Sequence, residues 1–232
     1  MLRATVFDLD DTLIDTGDAW ERVCAEFTAR HGHRWEPRDG IALHGNGHWA
    51  SYVAGLCGGP VDTAEVVEAC TDVMADACAA GRIQALPGAV ALFREAGRHG
   101  PVGVATASPR RFVLAALEHL GLAGDVSAVV CGEDVTRAKP APDPYLRAAA
   151  ALGVPPSCCL AVEDSPNGIR SATAAGMPVL AVPRDRMELP ADIAHLPLAQ
   201  APDAVHALPL LTRLLARRPE PAVQGGSVGT AG

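Results

Sequence analysis

The chain has 232 residues, a formal net charge of −8, and basic residues scattered singly except at Arg110-Arg111 and Arg217-Arg218, which argues against a nucleic-acid partner. Hydrophobic residues make up 49% of it but aromatics only 4%, so the core must be built from Ala, Val and Leu, a composition suited to helices packed on a buried parallel sheet. No apolar run is long enough for a membrane span and Asp8 arrives too early for a signal peptide, so a soluble cytoplasmic protein with no membrane partner is expected, as a monomer or weak dimer.

The length allows one large domain or a domain carrying an insertion. The seven cysteines make an odd count without C-x-x-C spacing, against a disulfide framework or a zinc knuckle. Lys139 is the only lysine in the chain, and so marks a position where a compact ammonium is not exchanged for a guanidinium.

The apolar run Ala4-Thr5-Val6-Phe7 predicts a first strand, and Asp8, Asp10 and Asp11 crowd directly behind it. Carboxylates at a strand tip suggest a metal, a nucleophile or both; a solvated turn with capping side chains is the competing reading. Apolar residues then recur at helical spacing from Ala19 to Phe27 and from Val66 to Ala77. Between them lies a turn-rich stretch, Glu36 to Pro60, with a short helix expected around His48 to Leu56. Residues 16–82 thus read as a helical cap inserted after the first strand, with 1–15 and 83–218 forming the core.

From Pro87 onward helices and strands alternate. Strands are expected at Val102 to Ala105, Ala128 to Cys131, Cys159 to Val162 and Val179 to Val182, with helices near 88–98, 109–120, 143–152 and 166–175. That alternation gives the expected fold class, α/β, a Rossmann-like doubly wound parallel sheet with an inserted α-helical cap. Residues 219–232, rich in Gly and small polar residues, read as a disordered tail. Ser108-Pro109, Asp143-Pro144 and Ser165-Pro166 each offer a capping side chain before a helix-opening proline. The polar residues just before or near those junctions, Thr106, Lys139 and the pair Glu163-Asp164, would then converge with Asp8 and Asp10 on one sheet edge.

Four segments in this order, Asp8-Leu9-Asp10-Asp11-Thr12-Leu13, Val104-Ala105-Thr106-Ala107-Ser108, Lys139-Pro140 and Val162-Glu163-Asp164-Ser165, resemble the motifs of the haloacid dehalogenase superfamily of phosphoryl-transfer enzymes. The resemblance spans about residues 1–185 and implies the following roles. Asp8 would be the nucleophile forming an aspartyl-phosphate, and Asp10 the general acid and base. Mg²⁺ would be bound by Asp8, the Asp10 carbonyl and Asp164, with Glu163 bound to it directly or one layer out. Thr106 and the backbone amides of Leu9 and Ala107 would hold the phosphoryl oxygens while Lys139 neutralises charge. Read without the resemblance, Thr106 is also an ordinary strand-end residue and Lys139 a loop lysine.

In the inserted module, the run Leu43 to Trp49 resembles the substrate-facing loop of helical caps in the phosphoglucomutase-like branch, so His44, Asn46 and His48 are candidate substrate contacts. A structural turn and a His-x-x-x-His zinc site are the alternatives. Asp10 speaks against dehalogenation, which has no leaving alkoxide to protonate, and the lysine-free cap speaks against Schiff-base phosphonatase chemistry. A β-phosphoglucomutase-like mutase is the closer competitor. Asp11, Trp20 and the lack of a cap lysine depart from its pattern and favour a phosphatase acting on a small phosphorylated sugar, amino sugar or polyol.

Overall fold

The protein is described by a computed structural model over residues 1–183 and 188–216; the expected tail at 219–232 lies outside the described residues. Five short apolar runs form the strands β1 (Ala4–Phe7), β2 (Val102–Ala105), β3 (Ala128–Val130), β4 (Cys159–Glu163) and β5 (Val179–Ala181), joined by a two-residue edge strand β6 (Ala199–Gln200). All pair in parallel in the order β3-β2-β1-β4-β5-β6. The chain runs outward from β1 to β3 and then returns to the other side of β1 with β4. The order therefore reverses between β1 and β4, and a crevice opens beyond their C-terminal ends.

Both faces of the sheet are covered, because successive side chains along each strand point to opposite sides. Phe7, Val104, Leu160 and Val162 pack into one cluster with Leu92 and Phe93 of α5 (Ala89–His99), Phe112 of α6 (Arg110–His119) and Leu211 of α9 (Ala204–Ala216). Val6, Ala105 and Ala161 pack into the other with Tyr145 and Ala148 of α7 (Asp143–Leu152) and Ile169 of α8 (Pro166–Ala174). This is the doubly wound α/β sheet read from the sequence.

Between β1 and α5 the described residues form four helices and no strand: α1 (Gly17–Arg30), α2 (Pro37–Leu43), α3 (Trp49–Leu56) and α4 (Thr63–Ala79). Val23, Cys24, Phe27, Val53, Val66, Cys70 and Met74 form the apolar centre of this insert. Helix α2 falls in the stretch expected to be turns. Its start is fixed by reciprocal bonds between Glu36 and Asp39, with Pro37 in its first turn. Asp39 is the polar hub of the insert. It is buried and accepts from His33 Nε2 at 2.9 Å, the Glu36 N–H at 2.9 Å and the Tyr52 hydroxyl at 2.8 Å. Although burial works against its charge, these bonds hold its carboxyl below the usual carboxylate range.

The loop after α2 reaches down to the sheet edge. Asn167 Nδ2 donates to the Gly45 carbonyl at 3.1 Å, and a Cβ on Gly47 would lie 2.3 Å from Ala138 Cβ and 2.8 Å from the Lys139 carbonyl oxygen. Gly47 is therefore needed for close approach of the insert to the Lys139 loop.

Candidate active site

The site begins with the backbone of β1. Asp8 keeps strand register, its N–H donating to the Val162 carbonyl at 2.9 Å, and the chain then turns back on itself as the Leu9 carbonyl accepts from Leu13 and Ile14. Asp11 sits in the left-handed region at φ 56°, a conformation aspartate tolerates better than most residues. Its Oδ1 accepts from the Thr16 and Gly17 amides at 3.0 and 2.8 Å, so Asp11 caps the start of α1 and fastens the insert to the strand end.

Four acids and one lysine meet at the crevice. Lys139 Nζ donates to Asp8 Oδ1 and to Glu163 Oε1, each at 2.6 Å, and all three residues are buried. Burial opposes the lysine charge, but the two carboxylates beside it hold its ammonium above the usual lysine range. Burial pushes Asp8 up to about 8 against the pull of Lys139, with Glu163 and Asp10 pushing the same way as burial. Burial first, then Glu163, Asp8 and Asp11, lift Asp164 well above the carboxylate range. Its Oδ1 accepts from the Thr12 hydroxyl at 3.3 Å.

That excess of buried negative charge is the test of fit for a cation. One ammonium cannot balance the acids around it, and oxygens of Asp8, Glu163 and Asp164 all lie within 4.8 Å of one another. These residues could hold a divalent ion that prefers oxygen ligands. Within the group, Glu163 has the most protein donors. Oε1 accepts from Lys139 and from the Tyr145 hydroxyl at 2.7 Å, and Oε2 from the Asp164 and Ser165 amides and the Ser165 hydroxyl at 3.1, 3.2 and 3.2 Å. Its geometry is that of a residue orienting Lys139 and the turn carrying Asp164.

Asp10 is held differently. Its Oδ1 accepts from Trp20 Nε1 at 2.8 Å and the Thr16 hydroxyl at 2.9 Å, and its Oδ2 from the Ser108 hydroxyl at 2.7 Å and the Thr106 hydroxyl at 3.1 Å. Four donors fill the acceptor capacity of a carboxylate. Two of the four, Thr16 and Trp20, stand at or within the first helix of the insert, so the posture of Asp10 depends on where the insert sits.

The expected residues therefore converge unevenly. Asp8, Asp10, Thr106, Ala107, Lys139 and Asp164 line one cavity of about 560 Å³, which His44 and Asn46 also reach. The Leu9 side chain is buried in the core, leaving only its backbone for the site. His44 stands 3.9 Å from Asp11 Oδ2 and 3.7 Å from Asp164 Oδ2. Asn46 spends its side chain on its own turn, donating to the Ala42 carbonyl at 3.0 Å and accepting from the His48 amide at 2.8 Å.

Three expectations are corrected. Asp143 is the first residue of α7, with Pro142 before it, and its side chain makes no capping bond. His48 is exposed and outside the cavity, because α3 starts immediately after it and turns Trp49 inward instead. It therefore neither contacts the cavity nor joins His44 in a metal pair. Ser108 does not cap α6, whose first flanking residue is Pro109; its hydroxyl is on Asp10. Ser165 does cap α8, accepting from the Gly168 amide at 3.1 Å. Tyr145 and Trp20 were not singled out as site residues from sequence, since each reads as one more apolar position on a helix. Trp20 stood out in the sequence only as a departure from the mutase pattern, and Tyr145 only as an aromatic in an aromatic-poor chain.

A doubly wound sheet with paired acids and a buried lysine at its switch point is a setting in which α/β proteins hold charged ligands. The chain belongs to the haloacid dehalogenase-like hydrolase family, which matches residues 2–176. It is 36% identical over 196 residues to the protein CbbY of Rhodobacter capsulatus, covering 79% of this chain and 86% of that one. It is 33% identical over 178 residues to the fructose-1-phosphate phosphatase YqaB of Escherichia coli, covering 74% and 92% of the two. Among solved structures, CbbY of Rhodobacter sphaeroides in complex with xylulose-(1,5)bisphosphate superposes with a TM-score of 0.76 at 26% identity, covering 88% of this chain and 95% of that one.

Proposed function

We propose that the protein is a Mg²⁺-dependent phosphatase that hydrolyses the phosphate monoester of a small sugar, amino sugar or polyol through an aspartyl-phosphate on Asp8. The observation that carries this reading is the 2.6 Å contact of Lys139 with Asp8 inside a cluster of buried acids, at the C-terminal edge of the adjacent strands β1 and β4. The family match and the phosphatase name of the YqaB relative support it.

Asp8, Asp164 and the Asp10 carbonyl would hold the Mg²⁺, which when bound supplies positive charge against the phosphoryl oxygens. Asp8 attacks phosphorus, forming a P–O bond to its carboxylate as the ester P–O bond breaks. Asp10 gives the departing alkoxide its proton, then takes one from the water that attacks the aspartyl-phosphate, releasing inorganic phosphate and restoring Asp8. Lys139 spends two of its three donors on Asp8 and Glu163, fixing the nucleophile and leaving one for phosphate. Thr106 now donates to Asp10, so it serves a phosphoryl oxygen only by turning its hydroxyl. The helical insert acts as the cap, and closing it keeps bulk water from the leaving group.

The test is phosphate release from a panel of sugar, amino-sugar and polyol monophosphates, with Mg²⁺ and after its removal by a chelator. Release that depends on Mg²⁺ is expected. Release undiminished by the chelator contradicts the metal assignment, and isomerised ester with little free phosphate would identify a mutase.

A further inference from the structure

Part of the cavity lining belongs to the insert, and among the described residues that part carries no lysine or arginine. Lys139 is the one lysine or arginine lining the cavity among the described residues, and it is already committed to Asp8 and Glu163. The insert contributes two carboxylates to that lining, Asp18 and Glu21, beside the indoles of Trp20 and Trp49. A second phosphate on the substrate would thus meet the carboxylates of Asp18 and Glu21, with no uncommitted lysine or arginine among the described lining residues to receive it. Such like-charge contact in a confined space works against binding.

Glu21 is held there by construction. Its Oε1 accepts from Trp35 Nε1 at 3.0 Å, and its carboxylate lies against Gly40, where a Cβ would stand 2.7 Å from both oxygens. Gly40 therefore gives the carboxylate its seat, and Trp35 fixes its direction. The neighbouring indoles supply flat apolar surface. The two rings of Trp20 and Trp49 lie 5.1 Å apart at 49°, and Trp20 is itself braced edge-on by Phe112 at 5.4 Å. A rigid aromatic surface beside a fixed acceptor suits a leaving group with a hydrocarbon face and outward hydroxyl or ammonium donors.

We propose that Glu21 is the specificity-determining residue of this cavity. It accepts hydrogen bonds from hydroxyl or ammonium groups of the leaving group and rejects substrates that carry a second phosphate. The substrate is accordingly a monophosphate with a neutral or cationic remainder. This rests on the phosphatase reading for the place of the reacting phosphate, at Asp8, but its test does not require turnover.

The experiment measures dissociation constants by calorimetry in the Asp8→Asn background with Mg²⁺ present, for two matched pairs: fructose 1-phosphate with fructose 1,6-bisphosphate, and glucitol 6-phosphate with glucitol 1,6-bisphosphate. In the tighter-binding pair the monophosphate is expected to bind roughly tenfold or more tightly than the bisphosphate. Adding Glu21→Gln, which keeps an acceptor for Trp35, should shrink that ratio by about tenfold, whereas Glu21→Asp should retain most of it. Equal binding of the two esters, a ratio untouched by Glu21→Gln, or binding of none of the four overturns the proposal. Failure of wild-type phosphate release with discrimination intact would instead sink the phosphatase reading alone.

Discussion

The floor of the cavity and the helical insert above it are polar by opposite means. On the floor, three buried carboxylates share a single ammonium, and Asp8 and Asp164 are held far from their ordinary ionisation by burial first and then by neighbouring carboxylates, Glu163 among them in both cases. In the insert, one buried carboxylate, Asp39, is satisfied by three neutral or weakly charged donors and is pulled the other way. The floor stores unbalanced charge, which suits a site awaiting a cation and a phosphate; Asp39 is balanced locally within the insert, which suits a stable lid. The proposed function assigns chemistry to the floor and specificity to the insert, and Asp10, held by donors from both sides, is where the two meet.

The largest effects should come from the floor. Asp8→Asn is expected to lower kcat by at least about 10⁴-fold while still binding ester, since the loss of a nucleophile that acts with its partners is nearly total. Steady-state phosphate release together with calorimetric binding checks it, and undiminished turnover would break the division of labour. Lys139→Met should also abolish turnover. It should further destabilise the metal-free protein by about 3–5 kcal/mol, because Asp8 and Glu163 would be left buried without their cation. Denaturant titration reads that loss, and unchanged stability would show that the ammonium does not balance the floor.

At the junction a smaller effect is expected. Trp20→Phe removes one donor to Asp10 while keeping most of the ring packing, and should lower kcat by roughly tenfold with little change in KM. A change confined to KM would instead place Trp20 with the substrate-binding wall alone.

The insert should show its effect in stability and its pH dependence. Asp39→Ala strands its donors and should cost about 2 kcal/mol near neutral pH by thermal or denaturant unfolding. Since the Asp39 carboxyl is held below its ordinary value in the folded protein, its contribution is present above the unfolded value near 4 and lost as pH falls through the folded one. The gap in stability between wild type and variant should therefore narrow below about pH 4. A gap that widened in acid would reverse the sign of the shift.

What the sequence made legible follows the same division. The acids of the floor could be read because they follow an apolar strand run or stand just before a helix-opening proline, and strand order carries them to one edge without detailed packing; Lys139, in a turn, stood out as the only lysine in the chain. Ser165 caps its helix as its position before Pro166 implies, whereas Ser108 in the same pattern is drawn to Asp10, because a hydroxyl within reach of a carboxylate finds a charged acceptor there. The insert and the last two elements of the core were less legible. Helix α2 is encoded by a reciprocal Glu36–Asp39 cap inside a stretch whose Pro and Gly content reads as turns, and α9 contains Pro209 within its span. The two-residue strand β6 offers no periodicity to read. His48 was placed in the cavity by analogy of loop position, yet one residue of helix onset was enough to give that place to Trp49.

The account stands most directly on the covalent step at Asp8. Protein quenched in acid during steady-state turnover, reduced with borohydride and digested should yield the peptide containing Asp8 with that residue converted to homoserine, the mark of an acyl phosphate. Reduction mapped to a different residue, or an unmodified Asp8 peptide throughout turnover, would contradict it.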